Sequence, residues 1–234
     1  MGKCLFMRKG ETHTEPSPYD PVFANNTWGD IIEACQTNRI PRTWVVGDSK
    51  PMTIDGTSYQ IDIIGKNHDT YTAGGVAPLT FQMHDCYTDP KPMSIYESNS
   101  EGWTNCQMRT TTLPAILATM PSEVQSGIKE VKKLTSAGNQ SATIKTTSDK
   151  LFLLSEIEVI GTTKYSASGE GSQYEYYAAG NSKRKGLGSS QRYVWWERSP
   201  FINGKYHFCG IDDDNNYLYY GANVSYGVAF AFCF

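Results

Sequence analysis

The chain has 234 residues, 39% hydrophobic and 19% charged, with a formal net charge of −3. That length suits one domain with a substantial core, and so small a charge excludes a nucleic-acid or anionic-membrane partner held by bulk electrostatics. No apolar run reaches membrane-spanning length, and the six cysteines (4, 35, 86, 106, 209 and 233) contain no CxxC pair, which argues against a zinc site or disulfide scaffold and for buried free thiols.

In chain order, residues 1–23 carry Pro16, Pro18 and Pro21 without hydrophobic periodicity and read as an N-terminal arm or linker. The opening Met1 to Lys9 is too short and broken for a secretion signal. Residues 24–234 form the expected folded domain. Asn26-Thr27 precedes apolar positions 28, 31, 32 and 35, predicting an amphipathic helix that stops before Pro41. Pro51–Ile54, the turn Asp55-Gly56 and Tyr59–Ile64 predict a β-hairpin. Leu79–Met83 reads as a strand, followed by a loop to about Gly102. A short helix is expected over Leu113–Leu117. A further helical face over Val124, Ile128 and Val131 places Glu123 in the first turn and Lys132 and Lys133 in the last. Lys150–Ser155 reads as a buried strand continuing into Glu156–Ile160, and 166–171 and 180–190 read as loops.

The last forty residues organise the rest. Trp195-Trp196-Glu197-Arg198-Ser199-Pro200 opens them. At their close, Val228, Phe230, Phe232 and Phe234 alternate with Ala229, Ala231 and Cys233, the period of one strand with a large-residue face and a small-residue face. Between these blocks, Gly204 to Gly227 is crowded with Tyr, Asp, Asn and Gly. Two strands fit there, Tyr206–Ile211 and Tyr217–Ala222, joined by the turn-forming run Asp212–Asn216. Tyrosine with small polar residues suits an adaptable recognition surface, and equally an ordinary polar meander.

Candidate chemistry is sparse. His68-Asp69 and His84-Asp85 set imidazoles beside carboxylates, with Cys86 nearby, but adjacent strand residues point opposite ways and cannot pair. Glu156 and Glu158 share a face if their strand continues. They would then be a carboxylate pair for acid–base work or, on the preferred reading, structural partners of Arg198 or Arg109. Asp212, Asp214 and Asn216 imitate the start of a calcium loop, yet Tyr217 stands where the turn glycine belongs and Asn223 where the bidentate glutamate belongs. No catalytic residue, metal or cofactor is assigned.

The order of elements, Leu151–Glu158, the Trp195–Pro200 block and Gly227-Val228-Ala229-Phe230 resemble a family of gut bacteria and their phages with a "WWLRSP … GVRPA" type signature. The similarity spans residues 24–234. Here Glu197 replaces the usual Leu, and Ala229-Phe230 replaces Arg-Pro. The resemblance implies an α+β, C-type-lectin-like fold: two helices packed on short antiparallel sheets with a C-terminal β-meander. The leader Gly2-Lys3-Cys4 to Glu11 is similar to the opening of short phage structural proteins. This branch also resembles variable proteins of diversity-generating retroelements, in which adenines of a 3′ cassette are replaced. Randomised Asn codons never yield Lys, Glu, Gln, Met or Trp, and only Lys205 between Gly204 and Gly227 falls outside the reachable set.

The resemblance thus implies a ligand-binding protein of a phage tail, virion or cell surface. Its hypervariable surface would comprise Tyr206, His207, Gly210, Asp212, Asp214, Asn216, Tyr217, Tyr219, Tyr220 and Asn223. Its partner would be a host-surface protein or glycan, met by a homotrimer or other multivalent array. No nucleic acid or membrane insertion is expected. The alternatives are a cell-wall-active hydrolase using Glu156, Glu158 or His84, and a purely structural virion protein with packed tyrosines.

Overall fold

Thr27 and Asp30 set where the first helix begins. The Thr27 hydroxyl accepts the Asp30 amide at 3.1 Å and the Asp30 carboxylate accepts the Thr27 amide at 2.8 Å, a reciprocal cap that opens α1 (Trp28–Gln36). Trp28, Ile31, Ile32 and Cys35 fill its buried face, as their spacing predicts. The computed structural model describes residues 17–187 and 191–234, so the arm reading for residues 1–16, Cys4 and the end of the 180–190 loop lie outside the described residues. The boundary at residue 24 falls too late. Phe23 is buried and stacks on Phe81 at 6.2 Å, and the Trp44 indole donates to the Asp20 carbonyl at 3.0 Å. One aromatic anchor brings 17–23 into the packed unit.

β1 (Ser49–Ile54) and β2 (Thr57–Lys66) form the expected hairpin, with Asp55 and Gly56 at φ 49° and 72°, the left-handed pair that a two-residue turn requires. β3 (Leu79–Met83) follows. The stretch expected to be loop then holds β4 (Tyr87–Lys91) and α2 (Gly102–Asn105). A π-helical turn, Met108–Thr112, runs into α3 (Leu113–Leu117), and α4 (Ser122–Gly127) follows. The helix expected to reach Lys133 stops there. Instead β5 (Val131–Gly138) pairs with β6 (Ser141–Asp149), burying Val131, Lys133 and Thr135 in alternation.

Residues 151–155 are buried but form no continuous strand: Phe152 is bridged to Ala231, and the Leu154 carbonyl accepts the Arg198 amide at 2.8 Å. The strand expected to continue through Glu156 is helix α5 (Glu156–Ile160). Ser155 caps it, accepting the Glu158 amide at 3.3 Å while the Glu158 carboxylate takes the Ser155 amide at 3.0 Å. α6 (Glu175–Ala178), β7 (Lys185–Leu187) and β8 (Gln191–Tyr193) precede β9 (Trp195–Pro200), β10 (His207–Ile211) and β11 (Tyr217–Gly221). The closing run is two strands, not one: β12 (Tyr226–Val228) and β13 (Ala231–Cys233).

The larger sheets are β1-β2-β3-β13 and β11-β10-β9-β12-β4, and β5-β6 and β7-β8 form separate two-stranded sheets. The architecture is mixed α+β, mostly strand, with six short helices among the described residues where the resemblance implies two. Residues 228–234 are all fully buried because they leave one large sheet at Val228 and enter the other at Ala231, where both environments are core.

Candidate functional site

Every residue of β9 is buried, and the side chains of Trp195, Trp196, Arg198 and Ser199 are held by distant segments, while Glu197 is not. The Trp195 indole donates to the Lys183 carbonyl at 2.9 Å and the Trp196 indole to that of Lys91 at 2.8 Å. Arg198 grips Glu158 through two bonds of 2.5 and 2.9 Å and also donates to the carbonyls of Leu134, Leu153 and Glu170. Glu158 is shared with Lys133 at 2.8 Å, and Lys133 reaches Asp69, also at 2.8 Å. Burial opposes ionisation of both acids. The Arg198 and Lys133 charges nonetheless hold Glu158 below the usual carboxylate range, and Lys133 holds Asp69 down at about 2.

β10 and β11 extend this frame outward. Their antiparallel register pairs Cys209 with Tyr219 and Ile211 with Tyr217, so the tyrosines divide between two faces of the sheet. On one face Tyr219 stacks flat on Phe201, with centroids 3.8 Å apart and planes 8° apart. Tyr165 and His207 each meet Tyr219 edge-on, at 5.2 and 5.3 Å, and the Lys164 ammonium sits over Tyr217 at 5.0 Å. Tyr219 keeps 38% of its surface in solvent and Tyr206 54%. On the other face half-buried Tyr220 packs against Trp196 and Tyr226, at 6.2 and 4.8 Å.

The ten residues predicted as one surface therefore separate. Tyr206, His207, Tyr217 and Tyr219 share the aromatic platform or its rim. Asp214, Asn216 and Asn223 are exposed in the flanking turns. Asp212 is committed to its own turn, accepting the Asp214 and Asn216 amides at 3.0 and 2.7 Å, an arrangement that builds a tight Asx-type turn. Gly210 does not belong to the surface. It is buried, and a Cβ there would lie 2.7 Å from the Trp195 carbonyl oxygen. Tyr220 belongs to the opposite face. Tyr165, Phe201 and Lys164 complete the platform without having been foreseen. Phe201 directly follows the Trp195–Pro200 block, its one visible cue; Lys164 and Tyr165 lie in a loop with no periodic signal.

The remaining candidates are dispersed. Helix α5 turns Glu156 and Glu158 to different partners. Glu156 accepts the amides of Lys164, Tyr165 and Ser166 at 2.8–3.0 Å and so shapes the loop under the platform, while Glu158 pairs with Arg198 as preferred. Arg109 pairs with Asp149 at 2.6 Å. His84 does find a carboxylate, across the sheet rather than next in sequence: Nδ1 lies 2.7 Å from buried Asp62, which raises the imidazole pKa. Burial pushes the Cys86 thiol up to about 12, so it is no ready nucleophile. His68 stacks on Tyr174 at 3.9 Å, and burial lowers its pKa. Glu197, the departure from the usual Leu, is fully buried with neither carboxyl oxygen partnered among the described residues. Desolvation, with the nearby Glu156 and Glu170 charges, pushes its pKa well above the usual carboxylate range.

A cleft of about 740 Å³ lies elsewhere, lined by Cys35, Asn38, Asn67, Tyr71, Val76 and Lys129 among others, none of them in β9–β12. Residues 83–234, containing both the β9 frame and the aromatic hairpin, match the model of a family described as "Domain of unknown function (DUF6273)". No characterised relative and no solved structure matches the chain.

Proposed function

The chain belongs to the DUF6273 family, and we propose that this member is a ligand-binding protein whose recognition surface is the aromatic face of β10 and β11. The observation that carries the proposal is the Phe201–Tyr219 stack, with Tyr165 and His207 edge-on to it. Exposed aromatic rings locked by neighbours offer large contact area at little entropic cost, and exposed Asp214, Asn216 and Asn223 offer adaptable hydrogen bonds around them. The C-type-lectin-like architecture and a place on a phage tail, virion or cell surface, facing a host protein or glycan in a multivalent array, complete the reading.

Burial sharpens the retroelement expectation. Variation is tolerable at codons 206, 213, 214, 216, 218, 219 and 223–225, whose residues are exposed, and not at 208–211, 222 or 227, whose residues are buried. Deep sequencing of this gene in its native population tests this directly. Substitutions should cluster at the exposed codons, at adenines of a nearby near-copy repeat. Equal variability at codons 208–211 would remove the proposal.

A hydrolytic reading keeps one specific observation, the His84–Asp62 pair with a half-exposed imidazole. Substituting Asp62 would abolish turnover on cell-wall material if it held. Packing of Tyr220 against Trp196 and Tyr226 is what a purely structural role would use, but it concerns the opposite face.

A further inference from the structure

Open sheet edges invite pairing, and proteins blunt them with proline, charge or cover. Three of the four edges of the two large sheets are blunted here. β1 carries Pro51, whose carbonyl takes the Trp28 indole at 3.1 Å, and the Lys50 ammonium reaches across to the Ala24 carbonyl at 3.0 Å. β13 is closed by Phe152, which exchanges two backbone bonds with Ala231 at 2.7 and 3.0 Å, and by the Lys129 amide on Cys233 at 2.9 Å. β4 carries Pro90 and the Asp89–Lys91 ion pair. The fourth edge, β11, is Tyr217-Leu218-Tyr219-Tyr220-Gly221, with no proline, charge or bulge.

The direction of its open groups is fixed. Asp212 donates to Asn216 at 2.8 Å and Ala222 to Tyr206 at 2.8 Å, so even-numbered residues of this strand face β10. Tyr217, Tyr219 and Gly221 then turn their amides outward, and among the described residues no backbone acceptor meets them. The pattern is self-complementary about Tyr219. In an antiparallel copy Tyr219 opposes Tyr219, Tyr217 opposes the small Gly221, and Leu218, 37% exposed, opposes Tyr220. Charge selects the same orientation. A parallel copy would set the two Asp212–Asp214 turns side by side, whereas the antiparallel one holds them about 30 Å apart at strand rise, several Debye lengths.

We propose that β11 pairs with β11 of a second copy of this chain, antiparallel about a two-fold axis at Tyr219, joining two five-stranded sheets and presenting two aromatic platforms side by side. This rests on backbone geometry and not on the ligand reading. A monomer that binds a ligand would sink the pairing alone, and a dimer that binds none would sink the ligand reading alone.

Sedimentation velocity of the full chain across a concentration series tests it. The expected result is a reversible rise from 26.1 kDa to twice that mass. Tyr219→Pro removes an outward amide that β10 does not use, so the strand tolerates it and the dimer is lost. Leu218→Lys, on an exposed side chain, protects the edge and gives the same loss if Tyr219→Pro fails to fold. Hydrogen exchange locates the contact, because the Tyr219 amide should become protected only at dimer-forming concentrations. A chain that stays monomeric throughout, a dimer insensitive to Leu218→Lys, or a dimer whose Tyr219 amide exchanges freely overturns the proposal.

Discussion

Replacing Arg198 by Met keeps most of the volume and removes the guanidinium. Glu158 would then keep only Lys133 as a cation at 2.8 Å, and the carbonyls of Leu134, Leu153 and Glu170 would lose buried donors. Removing one member of a buried pair costs about 3–5 kcal/mol. Lys133 still compensates part of the charge, which places the loss near the lower end, about 3 kcal/mol, a large fraction of a typical domain's 5–15 kcal/mol. Urea unfolding reads it as a lower midpoint at unchanged slope. Arg198→Met with Glu158→Leu should recover part of the loss, since the buried charge goes with its partner. The pH dependence follows from Glu158, whose carboxyl burial raises but Arg198 and Lys133 lower further. A depressed carboxylate stabilises the fold above its ordinary value of about 4.3, and that contribution disappears as pH falls through the folded value. Arg198→Met should therefore lose less stability than wild type as pH drops below about 4.3. A cost under about 1 kcal/mol, or a double variant no better than the single, would refute the clamp.

Glu197→Leu should stabilise the chain by about 1–3 kcal/mol, because it replaces an unpartnered buried carboxyl by an apolar group; thermal unfolding without a gain in midpoint would count against that environment. The Glu197 pKa is raised, so the wild-type disadvantage grows above about pH 4.3, where the unfolded carboxyl ionises, and the variant's stability should be flatter there. Asp62→Asn should matter more at pH 6 than at pH 9. A raised histidine stabilises fully below its ordinary value of about 6.5 and loses that contribution as pH rises through the folded one. Half exposure of His84 keeps the effect under about 1 kcal/mol, and a variant equally affected at both pH values would contradict it. Gly210→Ala should destabilise by about 1–3 kcal/mol through contact with the Trp195 carbonyl, measured by urea midpoint; a neutral result would return Gly210 to the variable set.

Elements with a local signature were legible in the sequence. Thr27 with Asp30 marks α1, Asp55-Gly56 marks the first hairpin, the apolar–polar alternation of Leu79–Met83 marks β3, and the turn-forming run Asp212–Asn216 marks β10 and β11. Where tertiary structure overrides local pattern the reading failed. Lys133 sits at a buried alternating position because Asp69 and Glu158, remote in sequence, neutralise it, so its period of two looked like the polar end of a helix. Ser155-Glu156-Ile157-Glu158 does carry a capping-box signature, but the apolar run before it suggested a strand. Alternation over 228–234 is real, yet which sheet each half joins depends on β3 and β9. The platform shows the same division: Tyr217 and Tyr219 stand out by composition, while Tyr165 and Phe201 reach them through folding alone.

The passage of residues 226–233 from one large sheet to the other bears on how the molecule opens. A segment hydrogen-bonded to β9 and β4 at one end and to β3 at the other makes the two sheets a single cooperative unit, since neither can unzip without releasing it. β11 is attached to the same sheet through β10 alone. Local fluctuations should therefore concentrate in that hairpin while the frame exchanges only by global unfolding. Sequence change at the exposed positions of β11 and its turn then registers as a change in local opening, and the frame's folding free energy stays insulated from it.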